Sequence, residues 1–473
     1  MAKRPENGQY RSFDAVVSDV PRYESFYGVA EHRARDEALA AEHDHVSFEV
    51  EGESSDGNEI WSLTVGEGPY TAFMFAAPHP NEPIGSMTID FLAHRLATDE
   101  SFRESFDYEF VFVKTADVDG TLLNEGWFDG PFTVSNYAQN FYRPAGDEQV
   151  EWTFPIEYEE YEFDAPVPET EVLMDIIAET EPEFIYSLHN AGFGGCYYYI
   201  SHDLDEIFDD LRGIARERDI PLHLGEPETP WATEFDDAVF ETLSTKEHYD
   251  YLVEHTDQDP TEMLTTGGSS LDFAHEHNED AVGLITELPY FYDEQIESET
   301  ETDRTRREVV LEGADRGAEL LAFLEAQLDR VRDHLPDTRP SRAVAEMVEK
   351  GPERIDAKRS WAEDAPELEE PATVAQTVDA LTMRSFYQML YFGTFLRVLD
   401  HAAMGAEDEE TAELLGEVKS TVEARLHELN GQLLEDLDYK LISIRKLVAI
   451  QAQAGLICMD YLQHSGRFET DTN

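Results

Sequence analysis

Four residues of the types that hold metals or move protons stand where apolar runs stop. The run "TAFMF" leads into "AAPHPNEPIG", which carries His79 and Glu82 three residues apart. The run "EFIYSLHN" closes on His189, and "AVGLITELP" carries Glu287 at its end. Each alone is a weak signal. The first stretch reads as readily as a turn made by two prolines and an asparagine as it does as half a metal site. A strand-end His is more often hydrogen-bonded than ligating, and a strand-end Glu is usually just emerging into solvent. Together they are harder to dismiss. Two imidazoles and one carboxylate are the three-ligand set of a catalytic zinc with an open fourth position. A second carboxylate is the group that takes a proton from the attacking water and returns it to the leaving group.

The elements that must position these residues are legible as patterns. "VSFEVEG" and "NEIWSLTVG" alternate as strands of a hairpin whose turn, "ESSDG", holds Gly57 at a left-handed position. Short dense apolar runs follow at 71–77, 108–115, 183–190, 195–202 and 281–289. Helical stretches such as "IGSMTIDFLAHRLA", "TEVLMDIIAET" and "EIFDDLRGIARE" alternate with them. This predicts an α/β fold with a mostly parallel or mixed buried sheet flanked by helices, and sites in such sheets gather at the carboxyl ends of strands. Segments 120–170 and 225–280 read as long irregular loops of the functional or mobile kind. "YESFYGVAEHRARDEALAAEHDH" carries helical spacing near the start.

From about residue 305 the strand signal ends and an appended all-helical region is expected. "REVVLEGADRGAELLAFLEAQLDRVRDHL" reads as one long helix, and Thr373 with Gln376 predicts a capping box opening a helix that runs to Gly405. Phe386, Met389, Leu390 and Phe395 read as core of that helix. A last helix is predicted from the stripe Leu437, Leu441, Ile444, Val448, Ala452, Leu456, Met459 and Leu462, amphipathic rather than apolar all round.

Composition excludes several classes. Asp and Glu number 103 against 34 Lys and Arg, a net charge of −69 over 473 residues. Such a chain repels nucleic acid and anionic membranes. The acids are spread along the whole length, which reads as solvation in a salt-rich cytoplasm and says little about the substrate. Two cysteines, Cys196 and Cys458, allow neither a disulfide framework nor a Cys-type zinc site. No long apolar span and no signal core are present, so a soluble cytoplasmic protein is expected.

With "HPNEPIGS", "VEGESSDGNEIWSLTVG", "SLHNA" and "GGSSLDFAHEHNEDAVGLITELP" in this order, residues 22 to 330 resemble the zinc carboxypeptidases of the carboxypeptidase A type. The resemblance implies one Zn²⁺ held by His79, Glu82 and His189. It implies Glu287 as general base and acid for the attack of water on an amide carbonyl. It divides the chain into a tail (1–21), a zinc carboxypeptidase-like catalytic domain (22–335) and a helical extension (336–473) without a counterpart.

The sequence departs from the family where the substrate's end would be read. No Arg or Lys occurs from Thr115 to Tyr142, and Ala138 and Gln139 stand where an Asn-Arg pair is expected. Asn140 and Phe141 match, and Arg143 lies three residues beyond Asn140 as an alternative cation. Gln139 could donate a weaker, neutral hydrogen bond. Tyr290 and Tyr292 are candidates for the family's mobile tyrosine. His202, His223, His275 and His277 read as structural or exposed, and Cys196 as a small buried residue. The expected substrate is a peptide or small amide, with neither nucleic acid nor membrane as partner, and the C-terminal helices could join chains into a homo-oligomer. Three readings follow: a metallocarboxypeptidase-like hydrolase, an amidohydrolase or deacylase on the same scaffold, and a binding or assembly protein whose metal site is structural or lost.

Overall fold

The computed structural model describes residues 12–256 and 258–467. Nine strands form the central sheet: β1 (Val46–Glu53), β2 (Glu59–Val65), β3 (Tyr70–Ala76), β4 (Tyr108–Val113), β5 (Phe184–Leu188), β6 (Tyr197–Ile200), β7 (Glu234–Asp236), β8 (Val239–Glu241) and β9 (Val282–Glu287). Their spatial order is β1-β2-β4-β3-β5-β9-β6-β8-β7. The centre, β4-β3-β5-β9, is parallel. β1 and β2 at one edge and β6 beyond β9 run antiparallel to their inner neighbours, so the sheet is mixed. Every apolar run read from the sequence is a strand, and Gly57 turns the first hairpin at φ 81°. The sequence reading missed β7 and β8, which lie inside the stretch expected to be irregular. They are three residues each, too short to show a period.

Both faces of the sheet are covered. In β3, Ala72, Met74 and Ala76 join one apolar layer, while Phe73 and Phe75 join the other, as a period of two requires. Helices α1 (Val29–Glu42), α2 (Ile84–Thr98), α3 (Val134–Asn140), α4 (Pro168–Thr180) and α5 (Asp205–Arg216) belong to this part. The early helix starts at Val29 rather than at Tyr23, because Gly28 caps it in extended backbone.

The C-terminal part contains α6 (Arg306–Val331), α7 (Arg339–Asp364), α8 (Arg384–Met404), α9 (Glu409–Asp436) and α10 (Ile444–Ser465). The Thr373–Gln376 capping box is present. The helix it opens passes through a π-helical turn, Asp379–Met383, before α8. Two short strands occur here too, Pro371–Thr373 and Lys440–Leu441.

The last helix differs from expectation in two ways. Leu437 and Leu441 precede it, because α9 ends at Asp436 and Ser443 caps α10 through Lys446 N. It is also buried nearly all round. It packs against α2, α5, β5 and β9, and its Gln451, Gln453 and Asp460 are buried with the apolar residues. A polar residue reads as a solvent face in sequence, yet here each amide is satisfied inside. Gln451 accepts from Thr88 Oγ1 at 2.9 Å and donates to the carbonyl of His189 at 2.9 Å.

Of the tail expected over 1–21, residues 1–11 lie outside the described residues. Residues 12–20 are not loose. A helical turn, Asp14–Val17, buries Val17, and Phe13 stacks on Phe106 at 5.9 Å. The apolar cluster containing these residues continues through the sheet into α8, α9 and α10, so the α/β part and the helical part share one core.

Candidate metal centre

The turn after β3 is where the first two candidate ligands are placed. Ala77 takes a left-handed conformation (φ 51°), unusual for a residue with a side chain, and swings the chain sharply at the strand end. Pro83 then leads directly into α2, so His79 and Glu82 project from a short rigid link between strand and helix. The amide of Glu82 donates to the carbonyl of His79 at 3.0 Å. β5 runs beside β3 and delivers His189 at its end. The following residue, Asn190, donates its amide to Glu82 Oε2 at 3.0 Å and accepts from Ile84 N at 3.2 Å, which ties the two strand ends together.

Three side chains converge. His189 Nδ1 is 3.1 Å from His79 Nδ1 and 3.1 Å from Glu82 Oε2, and His79 Nδ1 is 3.3 Å from Glu82 Oε1. Ligands about 2.0–2.1 Å from one tetrahedral ion stand roughly 3.3–3.4 Å apart, so the spacing fits a common metal. The chemistry agrees, since two imidazole nitrogens with lone pairs turned toward each other repel unless a proton or a cation lies between them. Among the described residues this is the only group of three or more His, Cys, Asp or Glu side chains that could hold an ion.

The electrostatics are those of a buried charged cluster. Burial, with the Arg143 charge, pulls His79 down to about 3 against the pull of Glu82. Burial opposes charge on His189 as well, but hydrogen bonding to Glu82, with Glu287 and Glu151 nearby, raises it to about 9. Glu82 would be raised by burial, yet His79 and Arg143 hold it well below the usual carboxylate range. Burial and then the Glu82 charge push Glu287 well up.

Glu287 ends β9 and lines the same cavity as His79 and Glu82, a space of about 300 Å³. Arg143 lines it too, with its guanidinium donating to Asn81 Oδ1 at 3.1 Å and paired with Glu82. The other sequence-derived candidates stand elsewhere. Gln139 is exposed on α3 and donates to Ser135 Oγ. Asn140 turns back to the carbonyl of Asn136 at 2.9 Å. Neither lines the cavity, because the helical turn of α3 points both away from it while Tyr137 and Phe141 face inward. Tyr290 is buried behind the site, where its hydroxyl donates to the carbonyl of Asn81 at 3.0 Å and so braces the ligand turn. Of the remaining histidines, His223 lines the cavity, whereas His202, His275 and His277 do not. Cys196 is buried.

Sequence reasoning missed Glu151. It is buried, accepts from Ser187 Oγ at 3.0 Å and from Ser270 Oγ at 2.8 Å, and lies 3.9 Å from His189 Nε2. Ser187 Oγ is 2.8 Å from the same nitrogen. This pair orients the second imidazole from its outer side, as the outer partners of metal-binding histidines do. Glu151 lies in the irregular segment, where no periodicity marks it. Also missed were residues of the helical part that close the cavity: Lys358 of α7, Asp379, and Arg384 and Tyr387 of α8. Tyr387 donates to the carbonyl of Phe193 at 3.1 Å, which fixes α8 over the loop that follows His189.

No family model matches the chain, and no curated protein matches it. Solved structures do. Carboxypeptidase A from Helicoverpa armigera is 16% identical, with a TM-score of 0.38, over 59% of this chain and 70% of its own. A metallo-carboxypeptidase from Burkholderia cenocepacia is 16% identical, with a TM-score of 0.32, over 56% of this chain. This chain spans 60% of that structure's length. A metallo-carboxypeptidase from Pseudomonas aeruginosa, in complex with (2-guanidinoethylmercapto)succinic acid, is 14% identical with a TM-score of 0.33. It overlaps 72% of this chain and 70% of its own. At such identities and scores, the reading of the site rests on its own geometry.

Proposed function

We propose that this chain is a zinc-dependent hydrolase that cleaves an amide bond near a substrate's C-terminus. The observation that carries the reading is the convergence of His79, Glu82 and His189, with Glu287 beside them: it lines one cavity with His79 and Glu82 and a second with His79 and His189. Two nitrogens and a carboxylate suit zinc among the common ions. A Zn²⁺ held there supplies Lewis-acid polarisation of a carbonyl and of water. The chain supplies the rest. Glu287 takes the proton of the attacking water and passes it to the leaving nitrogen. Its raised proton affinity, from burial and the Glu82 charge, suits the second step, and the Arg143 charge works the other way, toward the ionised form needed for the first. Arg143, held by Asn81, is the cation available to oxygen charge developing on the carbonyl. Asn190 and Glu151 hold Glu82 and His189 in place.

The test is Glu287→Gln, which keeps the shape and removes the base. Hydrolysis should fall by roughly 10²–10⁴-fold with the metal content of the purified protein unchanged. A variant as active as the parent sinks the mechanism. A second reading, a zinc amidohydrolase or deacylase acting on a non-peptide or modified amide, is favoured by one observation. Gln139 and Asn140, from the segment expected to read a terminal carboxylate, do not line the cavity. Release of C-terminal residues from a dipeptide panel, set against cleavage of N-acyl amino acids, separates the two.

A further inference from the structure

The cavity has a second end, and it is built by segments beyond residue 335. Lys358 projects from α7 and Arg384 from the first turn of α8, and both line the wall of the space that holds His79, Glu82 and Glu287. The same two residues, with Glu228, also line an adjoining cavity of about 320 Å³ walled by Trp231, Tyr251, Met263 and Leu264. They therefore mark a junction between the metal end and an aromatic pocket.

Their lack of partners is informative in this chain. With 103 acids for 34 bases, most of its half-buried cations are matched. Arg306 pairs bidentately with Glu226 at 3.0 and 2.7 Å, Arg339 with Asp119 at 2.7 Å, and Arg143 with Glu82. Among the described residues Lys358 and Arg384 have neither a hydrogen bond nor an ion pair. The nearby acids do not neutralise both. Glu226 is taken by Arg306, and Asp379 is 3.9 Å from His223. Two cations lining one space repel each other and are costly to desolvate, and among the described residues neither Asp379 nor Glu228, acids of the same wall, is ion-paired with either. Burial and the Arg384 charge accordingly pull Lys358 down to about 8. An anion between them removes both penalties, and a guanidinium beside an ammonium is a donor set suited to a carboxylate.

We propose that Lys358 and Arg384 form a carboxylate-binding subsite, so that the helical part of the chain, and not the segment around Arg143, reads an anionic group on the substrate. This rests on the hydrolase reading for its consequence in turnover, but the binding itself does not depend on it. The carboxylate could be a substrate's terminal group or an acidic side chain, and both offer the same chemistry.

The experiment uses the full chain loaded with zinc at high salt. First, succinate binding is measured by calorimetry for the parent, Lys358→Met, Arg384→Met, Lys358→Arg and Arg384→Lys. Second, KM and kcat are measured on paired amides: free against amidated C-termini, and Asp or Glu against Asn or Gln residues. The parent should bind succinate and prefer one carboxylate form through KM. Each Met variant should lose roughly tenfold or more of that preference, and the charge-keeping variants should recover part of it. The pair that shows the preference identifies which carboxylate is read. Succinate binding that the Met variants abolish, without any hydrolysis by the parent, upholds the subsite and overturns the hydrolase reading. Hydrolysis indifferent to carboxylate, Met variants with unchanged preference, or a parent that binds no succinate overturns the subsite.

Discussion

At the scale of single residues, the groups that matter most here are buried charges, and their environment decides their protonation. Asp117 is the clearest case outside the metal cluster. It caps the short helix Val118–Asn124 by accepting from Gly120 N at 2.7 Å, yet its other oxygen is buried with no partner among the described residues. Arg339, the cation that could neutralise it, pairs with Asp119 instead. Burial, with Glu169 nearby, raises Asp117 to about 7. The folded chain then binds a proton that the unfolded chain has released above about pH 4. The contribution is therefore full below that pH and is lost as pH rises through 7. Asp117→Asn keeps the cap and removes the charge. At fixed high salt the variant should gain on the parent by roughly 2–4 kcal/mol between pH 4 and 8, read from denaturant midpoints. Parallel pH profiles for the two proteins would refute this account.

At the scale of elements, the helical part acts on the site through two close contacts. Where α8 crosses α3 there is no room for a side chain, since a Cβ on Gly393 would stand 1.7 Å from the carbonyl oxygen of Ala138. Thr394 and Arg397, on the same face, donate to the carbonyls of Phe141 and Asn140. The backbone leading to Arg143 is thus clamped by α8. Gly393→Ala must push the helices apart, at a cost of about 1–3 kcal/mol or more, and should shift Arg143 with them. Unfolding midpoints check the first effect, and an unchanged midpoint would show that the crossing yields freely. The second contact is α10, whose Gln451 joins the carbonyl of His189 to Thr88 of α2. Each buried Leu or Ile of α10 adds about 1.5–3 kcal/mol of apolar burial, so the strand end that carries His189 is braced by a helix buried nearly all round.

At the scale of the whole molecule, the net charge of −69 dominates. Repulsion among surface acids opposes the compact state, and salt shortens its reach from about 10 Å at 0.1 M to about 3 Å at 1 M. Thermal midpoints should rise on the order of 10 °C between 0.1 and 2 M KCl, given how few degrees each kcal/mol moves a chain of this size. A midpoint indifferent to salt would mean that the acids are compensated locally. Among the described residues no helix is long and apolar enough to cross a membrane.

The sequence by itself determined the seven longer strands of the sheet, the helices between them and the four reactive residues at or just after strand ends. Apolar periodicity is a local property, and a strand end is read from where the run stops. His79, Glu82, His189 and Glu287 were legible because three separate runs ended on reactive side chains. What only the tertiary structure decided is every contact between segments far apart in the chain. Matching to the expected motif pointed to Gln139 and Asn140, but the helical phase of α3 turns both away and leaves Arg143 facing the cavity. Glu151 meets His189 across an irregular segment, and Lys358 and Arg384 arrive from helices with no pattern of their own to mark them. The polar residues of α10 suggested a solvent-facing side, while their partners lie hundreds of residues away in sequence. Periodicity tells a residue which side of its own element it occupies. Only packing says what stands on the other side.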